Sequence, residues 1–504
     1  MKKNVLALSI AAMVGGLGFA GAASAQVATE LRIAESGTGH ILLVPYFNAQ
    51  NNNMSVFHVV NTDTSNGKAV KVRFRGAANS DDILDFQVFL SPGDVWTASV
   101  SKGTDGVSEL TTYDNSCTLP KIDKGVPVKF ITARLNQKMT DLDIGNNTRE
   151  GYVEMFNMAD IKPSDSGLYK AIKHVNGVAP CTDSVLQATL STGKNTAGLA
   201  NPTTGLAGSW YIINVPQTTT YSGAANVIRA VDNLGNPGSG VNVFSAQDNS
   251  APASLAVSTA DPLLRSGLVA AASYDLPDLS TPYLATTATP EAQVNALTEA
   301  LAVTSVINQF ANDSAITAKT DWVFSMPTRR YSIAANYQAP VSDSKSNFAS
   351  VTPATTYRVY NAGTNTYFSN NGAANTSVDK DGRICVSSVS QVFYDREETG
   401  QKAGTAVFSP QTAAKAAALC GEVSVLSFND SGVSVLDASV ARQNVTTEPV
   451  NGWSQMNFGG AVPVLGASFI KLRNPNVGSG VSGTYGITWP HAYVAPVKTA
   501  PVAP

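Results

Sequence analysis

Hydrophobic and polar positions alternate most regularly between residues 70 and 75. Val70, Val72 and Phe74 fall on one side of an extended chain, and Lys71, Arg73 and Arg75 on the other. A period of two with charge on one side predicts a half-buried antiparallel strand whose charged face meets water. The flanking pattern is of the same kind. Ile41–Phe47 and Ser55–Asn61 are apolar, β-rich runs on either side of the polar loop Asn48–Asn53. Asp85–Leu90 and Val95–Val100 read as two strands joined by Ser91-Pro92-Gly93-Asp94. Pro at the second turn position and Gly at the third predict a type II turn. Strands at such short spacing predict a mainly β fold, an Ig-like antiparallel β-sandwich, rather than βαβ units. Val128–Leu135 and Gly151–Met158 extend the series.

The pattern loosens after residue 194, where Ala, Thr, Asn, Gly and Pro dominate. Trp210–Val215 and Val227–Val231 remain strand candidates. One segment changes period. Val294, Leu297, Leu301, Ile307 and Phe310 give an apolar side to a predicted helix over 289–311, with Thr289 as N-cap, Pro290 at the first helical position and Glu291 favouring the N-terminal dipole. Strand character returns at Trp322–Ser325, Tyr331–Ala334, Tyr357–Tyr360, Val389–Tyr394, Val423–Phe428, Val433–Leu436, Ser468–Leu472 and Tyr485–Thr488. Asn429-Asp430-Ser431-Gly432 has hairpin-turn chemistry. Pro410–Cys420 predicts a short Ala-rich helix between Ser409 and Gly421. The organisation expected is a leader at 1–25, an N-terminal β-sandwich at 26–193, a central mixed region at 194–340, a C-terminal β-rich region at 341–494 and a Pro-rich tail at 495–504.

The leader is expected from Lys2 and Lys3, the apolar run Val5–Ala20 and the small-residue site Ala23-Ser24-Ala25. It predicts export, cleavage after Ala25 and an oxidising destination. No later stretch is long and apolar enough for a transmembrane helix. Export makes the four cysteines readable as disulfides. Three pairings exist, and sequence proximity favours Cys117–Cys181 with Cys385–Cys420.

Composition narrows the function classes. Charged residues are 14% of the chain against about 25% in an ordinary soluble domain. The net charge is -3, and losing the two leader lysines makes the mature chain more acidic. No basic block offers phosphate neutralisation, which argues against nucleic acid. Four histidines, His40, His58, His174 and His491, are scattered, and His58, inside an apolar strand, reads as structural. No P-loop, G-x-S-x-G or H-E-x-x-H occurs. Asp81, Asp82 and Asp85, and Glu397 with Glu398, read as solvated loop acids rather than a glycosidase pair. Ser377-x-Asp379-x-Asp381-Gly382 starts like a calcium loop, but Ser388 stands where the bidentate Glu belongs, so an Asp/Gly turn is expected. No catalytic, cofactor or metal residue is assigned and the chain is read as no enzyme; calcium where loops meet is the one cofactor kept open.

Several segments resemble those of secreted cell-surface proteins of betaproteobacteria, among them surface-layer proteins of the nanopod type that coat cells and vesicle-filled tubes. They are Glu35–Phe47, Phe86–Trp96, Arg149–Met155, Gly208–Val215, Asp321–Arg330 and Tyr485–His491. The resemblance implies a structural protein that self-assembles into a two-dimensional array on the outer surface of a Gram-negative cell. Its partners would be copies of itself, with the outer-membrane surface or lipopolysaccharide as the attachment. The alternative is a secreted adhesin or glycan-binding β-sandwich protein. That reading needs an exposed aromatic platform, for which Trp96, Trp210, Trp322, Trp453 and Trp489 are the candidates, although packing in a core or interface is the plainer role of each.

Overall fold

The computed structural model describes residues 28–163, 167–191, 198–232, 234–238, 283–284, 290–337, 357–359, 367–368, 376–397, 417–428, 434–447, 449–478 and 481–496. The fold is mainly β, as the alternation predicted, and is built from stacked sheets. Every strand pairing described is antiparallel except that of Val423–Phe428 with Arg442–Val445.

The largest sheet has eight strands. Glu150–Ile161 lies at its centre, between Ile41–Asn48 and Gly67–Gly76, with Asp82–Leu90 next to the latter. A six-stranded sheet faces it, built around Asn53–Asn61, Val95–Lys102 and Leu206–Asn214. Val70, Val72 and Phe74 point into the layer between them, beside Phe57, Trp96 and Trp210. The predicted type II turn connects the two sheets: Gly93 has φ 73° and the Asp94 N–H donates to Ser91 O at 3.1 Å. Pro45 would break a regular central strand because it lacks an N–H. It sits where the register slips, between the Val44–Val153 and Phe47–Gly151 pairs.

A five-stranded sheet is centred on Lys319–Ser325, and that strand and Val423–Phe428 beside it are buried on both faces. Val323, Val425 and Phe469 join the N-terminal core, whereas Trp322, Phe324, Leu426 and Phe428 face a second core. That second core is closed by a four-stranded sheet in the order Ser390–Tyr394, Asn451–Pro463, Ala302–Ala311, Ala492–Val494.

Several expectations are corrected. Lys71, Arg73 and Arg75 do not meet water: each is at most 2% exposed. The helix Pro290–Leu301 and residues around Tyr331 cover the outer face of the large sheet, so its central strands are buried on both sides. The predicted helix stops at Leu301, and Ala302–Ala311 is a strand. Val303, Thr304, Val306 and Ile307 are β-branched, and that density, with a pairing partner in Asn451–Pro463, overrides the helical spacing. Only Val128–Lys129 of the run 128–135 is strand. Arg329–Tyr331 forms a 3-10 turn before the strand Ile333–Ala335. Ser434–Leu436 is a turn rather than a strand, since the Ser434 hydroxyl and the Leu436 N–H both donate to Asp321. Ala418–Cys420, placed at the end of the Ala-rich helix, is a strand. Residues 410–416, the turn at 429–432, Thr289, the leader and the tail from 497 onward lie outside the described residues.

Both expected disulfides are formed. Cys117–Cys181 ties an edge strand of the large sheet to the segment carrying the helices Gly167–Ile172 and Asp183–Ser191. Cys385–Cys420 links directly opposed residues of a three-stranded sheet.

Candidate functional site

The four-stranded sheet has one face in the second core and one face open. Alternate residues decide which is which. Phe393, Met456, Val306 and Phe310 point inward. The register then aligns the outward residues in rows. Tyr394, Trp453 and Gln309 form one row; Val392, Gln455, Ile307 and Ala492 the next; Ser390, Asn457, Ser305 and Val494 the third.

The first row is aromatic. The Trp453 ring lies on Tyr394 with centroids 4.4 Å apart and planes 14° from parallel. Gly452 permits this approach: its φ is 156°, and a Cβ there would stand 1.8 Å from Tyr394 O. The lower rows are amides. Gln455 Nε2 donates to Asn457 Oδ1 at 2.8 Å, and Asn457 Nδ2 to Ser390 Oγ at 3.0 Å. Beside the aromatic row, Trp489 from the strand Val481–Pro490 is held where Asn308 Nδ2 donates to its carbonyl at 2.9 Å. Trp453, Trp489, Gln309 and Arg396 line one cleft of about 500 Å3. Trp96, Trp210 and Trp322 are at most 3% exposed, whereas Trp453 is 37% and Trp489 49% exposed. Three of the five candidate tryptophans are therefore core residues, and two share a surface cleft.

The acids and bases that the sequence offered are mostly inside. Register sets Asp85, Arg73 and Glu154 side by side on three adjacent strands. Arg73 stands 3.9 Å from Asp85 and 4.0 Å from Glu154, and Lys71 stands 3.4 Å from Asp85. Burial pushes the Asp85 carboxyl up, but Lys71 and Arg73 outweigh it and hold it below its ordinary value. Lys68 donates to Asp160 at 2.7 Å. Arg329 pairs with Glu422 at 2.8 Å, and Tyr337 donates to both oxygens of Asp81. Asp81, Asp82 and Asp85 are thus not solvated loop acids; Asp81 and Asp82 are buried, and Asp85 serves the ion layer on the outer face of the large sheet. Glu397 is exposed, and Glu398 lies outside the described residues.

The remaining candidates have structural partners. His40 Nε2 meets Gly238 O at 3.1 Å, and His491 Nε2 meets Val323 O at 2.9 Å. Burial lowers each histidine to about 3. His58 is half-buried beside Tyr211, and His174 lies 3.4 Å from Asp94. Asp379 accepts from the Asp381 and Arg383 N–H groups and pairs with Arg383, so it closes the hairpin between Thr376–Val378 and Ile384–Ser387. Its proximity to Cys385 and Cys420 does not make a metal site, because those sulfurs are bonded to each other.

The segments that carried the resemblance converge on these buried contacts. Glu150 Oε1 accepts from the Ser439 N–H at 2.7 Å and from Val440 at 3.2 Å, while Asp321 holds Ser434 and Leu436. Arg329 comes from the same segment as Asp321, and His491 from a third segment of the set. Sequence reading missed this clustering because the partners lie hundreds of residues apart. No known protein family, curated protein or solved structure matches the chain. The resemblance therefore rests on the segments themselves.

Proposed function

We propose that the protein is a structural subunit that assembles through sheet edges into an array on the outer cell surface. The observation that carries this reading is the pair of edges of the four-stranded sheet. Among the described residues, Ser390–Tyr394 pairs only with Asn451–Pro463, and Ala492–Val494 only with Ala302–Ala311. The Val389 N–H donates inward to Asn457 O at 2.8 Å. Tyr394 O also faces Asn451–Pro463, against Gly452, so by the alternation of an antiparallel ladder Ser390, Val392 and Tyr394 face inward and the Gln391 and Phe393 N–H groups point outward. Val389 is 63% exposed, Val392 37% and Val494 43%. Apolar, unpaired edges without a charged gatekeeper are templates for another chain. Pairing one edge with the opposite edge of a neighbour is a head-to-tail contact, which propagates where a two-fold contact would close. Low charge keeps the repulsion between identical copies small.

Val389→Lys tests the reading. It places a charge at the exposed edge, which discourages pairing, and leaves the backbone hydrogen bonds of the ladder intact. Wild-type protein should form ordered sheets in electron microscopy and large particles in light scattering, and Val389→Lys should remain small at the same concentration. Wild-type protein that stays monomeric in the presence of outer-membrane vesicles and calcium overturns the proposal.

A further inference from the structure

The open face beside those edges has a chemistry that edge pairing does not use. Large aromatic rings are normally hidden in a core, where Trp96, Trp210 and Trp322 lie. Trp453 and Trp489 instead line one cleft, and Trp453 is held flat by its stack on Tyr394. The strand that supplies Trp489 turns Tyr485 to the same side, since alternate residues share a face. Tyr485 is 55% exposed. Four residues of strand separate the two rings by about 13 Å. The aromatic surface is thus a track rather than a single platform.

We propose that this track binds a neutral polysaccharide chain. A pyranose ring has a flat C–H face and a rim of hydroxyls. The track offers a matching pair of surfaces: rigid rings for the face, and the amide of Gln309 with the Arg396 guanidinium for the rim. Gln309 stands in the same row as Trp453, and both Gln309 and Arg396 are exposed in the cleft wall. The cleft of about 500 Å3 falls within the range of small-ligand sites, about 300–1,000 Å3. The other occupants fit less well. An anionic polymer calls for several clustered cations, and Arg396 is the one basic residue lining the cleft. An extended peptide would add to a strand edge through its backbone, whereas this track runs across the face. An acyl chain has no use for the polar rim. The proposal is independent of the coat reading, because it concerns the sheet's face and not its edges.

The test uses Val389→Lys protein of the full chain, so that binding is measured apart from assembly. The probes are dextran, xylan, galactomannan and the polysaccharide released from lipopolysaccharide by mild acid, with polyphosphate as the anionic control. Because the other three tryptophans are buried, a change in tryptophan emission reports the cleft. At least one neutral polysaccharide should shift the emission and retard the protein in affinity electrophoresis. Trp453→Ala and Trp489→Ala should each weaken that binding at least tenfold, and Trp453→Phe, which keeps a ring on Tyr394, about threefold or less. An unchanged circular dichroism spectrum and urea midpoint exclude misfolding as the cause. The proposal fails if no neutral polysaccharide binds, if binding survives both alanine variants, or if only polyphosphate binds.

Discussion

Replacing Arg73 tests the central claim about the large sheet, that its charged face is an interior. In the sequence Arg73 looks like a surface residue, and substitution of an exposed residue usually changes stability by about 0.5 kcal/mol or less. In the structure it is 1% exposed and stands about 4 Å from two carboxylates. At an effective dielectric of about 20, each such pair is worth roughly 4 kcal/mol of Coulomb energy. Much of that is offset by the cost of stripping water from the guanidinium, so the pairs are not a net gain of this size. Removal of one partner is different, because buried Asp85 then keeps only Lys71, and buried Glu154 only Arg75, as its cation. Arg73→Met retains most of the volume and should cost about 2–3 kcal/mol, because the remaining cations compensate the two carboxylates in part. Arg73→Asp sets three carboxylates in one row and should prevent folding. Urea denaturation followed by tryptophan emission gives the midpoint and slope for wild type, Arg73→Met, Glu154→Gln and the double variant. The double-mutant cycle should return a coupling of at least about 1 kcal/mol, since residues in one ionic network are not additive. A midpoint for Arg73→Met within error of wild type would refute the buried-layer reasoning, and would restore the half-exposed strand.

Two further outcomes follow from the buried groups and the disulfides. His40 and His491 have folded values lowered to about 3 by burial, below the unfolded value of about 6.5, so the unfolded chain alone takes up their protons as pH falls below 6.5 and stability is lost. At pH 4.5 this amounts to roughly 2–3 kcal/mol for each histidine. Asp321, raised to about 6 by burial, acts in the opposite sense and gains stability on acidification, so the informative quantity is the difference between proteins: His491→Gln should lose less stability than wild type between pH 7 and 4.5, and equal losses would contradict the assignment. Removing Cys117 and Cys181 together, which frees a loop spanning 64 residues, should lower stability by about 4 kcal/mol in the chain-entropy account; a urea midpoint unmoved by Cys117→Ser with Cys181→Ser would show the bridge to be dispensable.

The existence of most strands was legible from local pattern, because a strand with one face in a core writes its period into the sequence. Val70, Val72 and Phe74 were placed correctly for that reason. What covers the second face is not written locally. Lys71, Arg73 and Arg75 carry the same letters whether they meet water or Asp85 and Glu154, and the segments that assemble over that face, among them the helices Pro290–Leu301 and Gly167–Ile172 and the Tyr331 turn, decide the matter. The same limit misplaced the end of that helix, since Ile307 and Phe310 satisfy both periods and the partner strand at 451–463 lies far along the chain. The short helix Asp141–Thr148 did have a signal: Thr140 accepts from the Asp143 N–H, and Thr140-x-x-Asp143 is a capping pattern. For the cleft, the tryptophans were legible as candidates but not separable, because exposure depends on register and stacking order. Trp322 and Trp453 are both strand tryptophans, and one is sealed between two sheets while the other ends on an open face.

The disposition of charge links these parts. A chain with 14% charged residues has little to spend on its surface, and a share of what it has is buried: Lys68, Lys71, Arg73, Arg75, Arg329, Glu150, Glu154, Asp160, Asp321 and Glu422 are all under 3% exposed. Burying ion pairs stabilises little by itself, because desolvation cancels much of the attraction. Its effect is on specificity. Asp85, Arg73 and Glu154 align only in the observed register, and a slip of one residue in any of the three strands would turn its charge onto the face filled by Val72 and its neighbours. The charges that fix register inside are then absent outside, where lysines at edges would otherwise discourage pairing. The surface that remains is sparsely charged, with hydroxyl, amide and exposed aromatic groups between scattered ion pairs such as Lys121–Asp123. Such a surface repels copies of itself weakly and desolvates cheaply, and both properties favour shallow, repeated contacts over a single tight one. The buried ion layer and the uncharged edges of the four-stranded sheet are in this sense one feature: the first fixes the register of the body, and the second is what the proposed assembly would use.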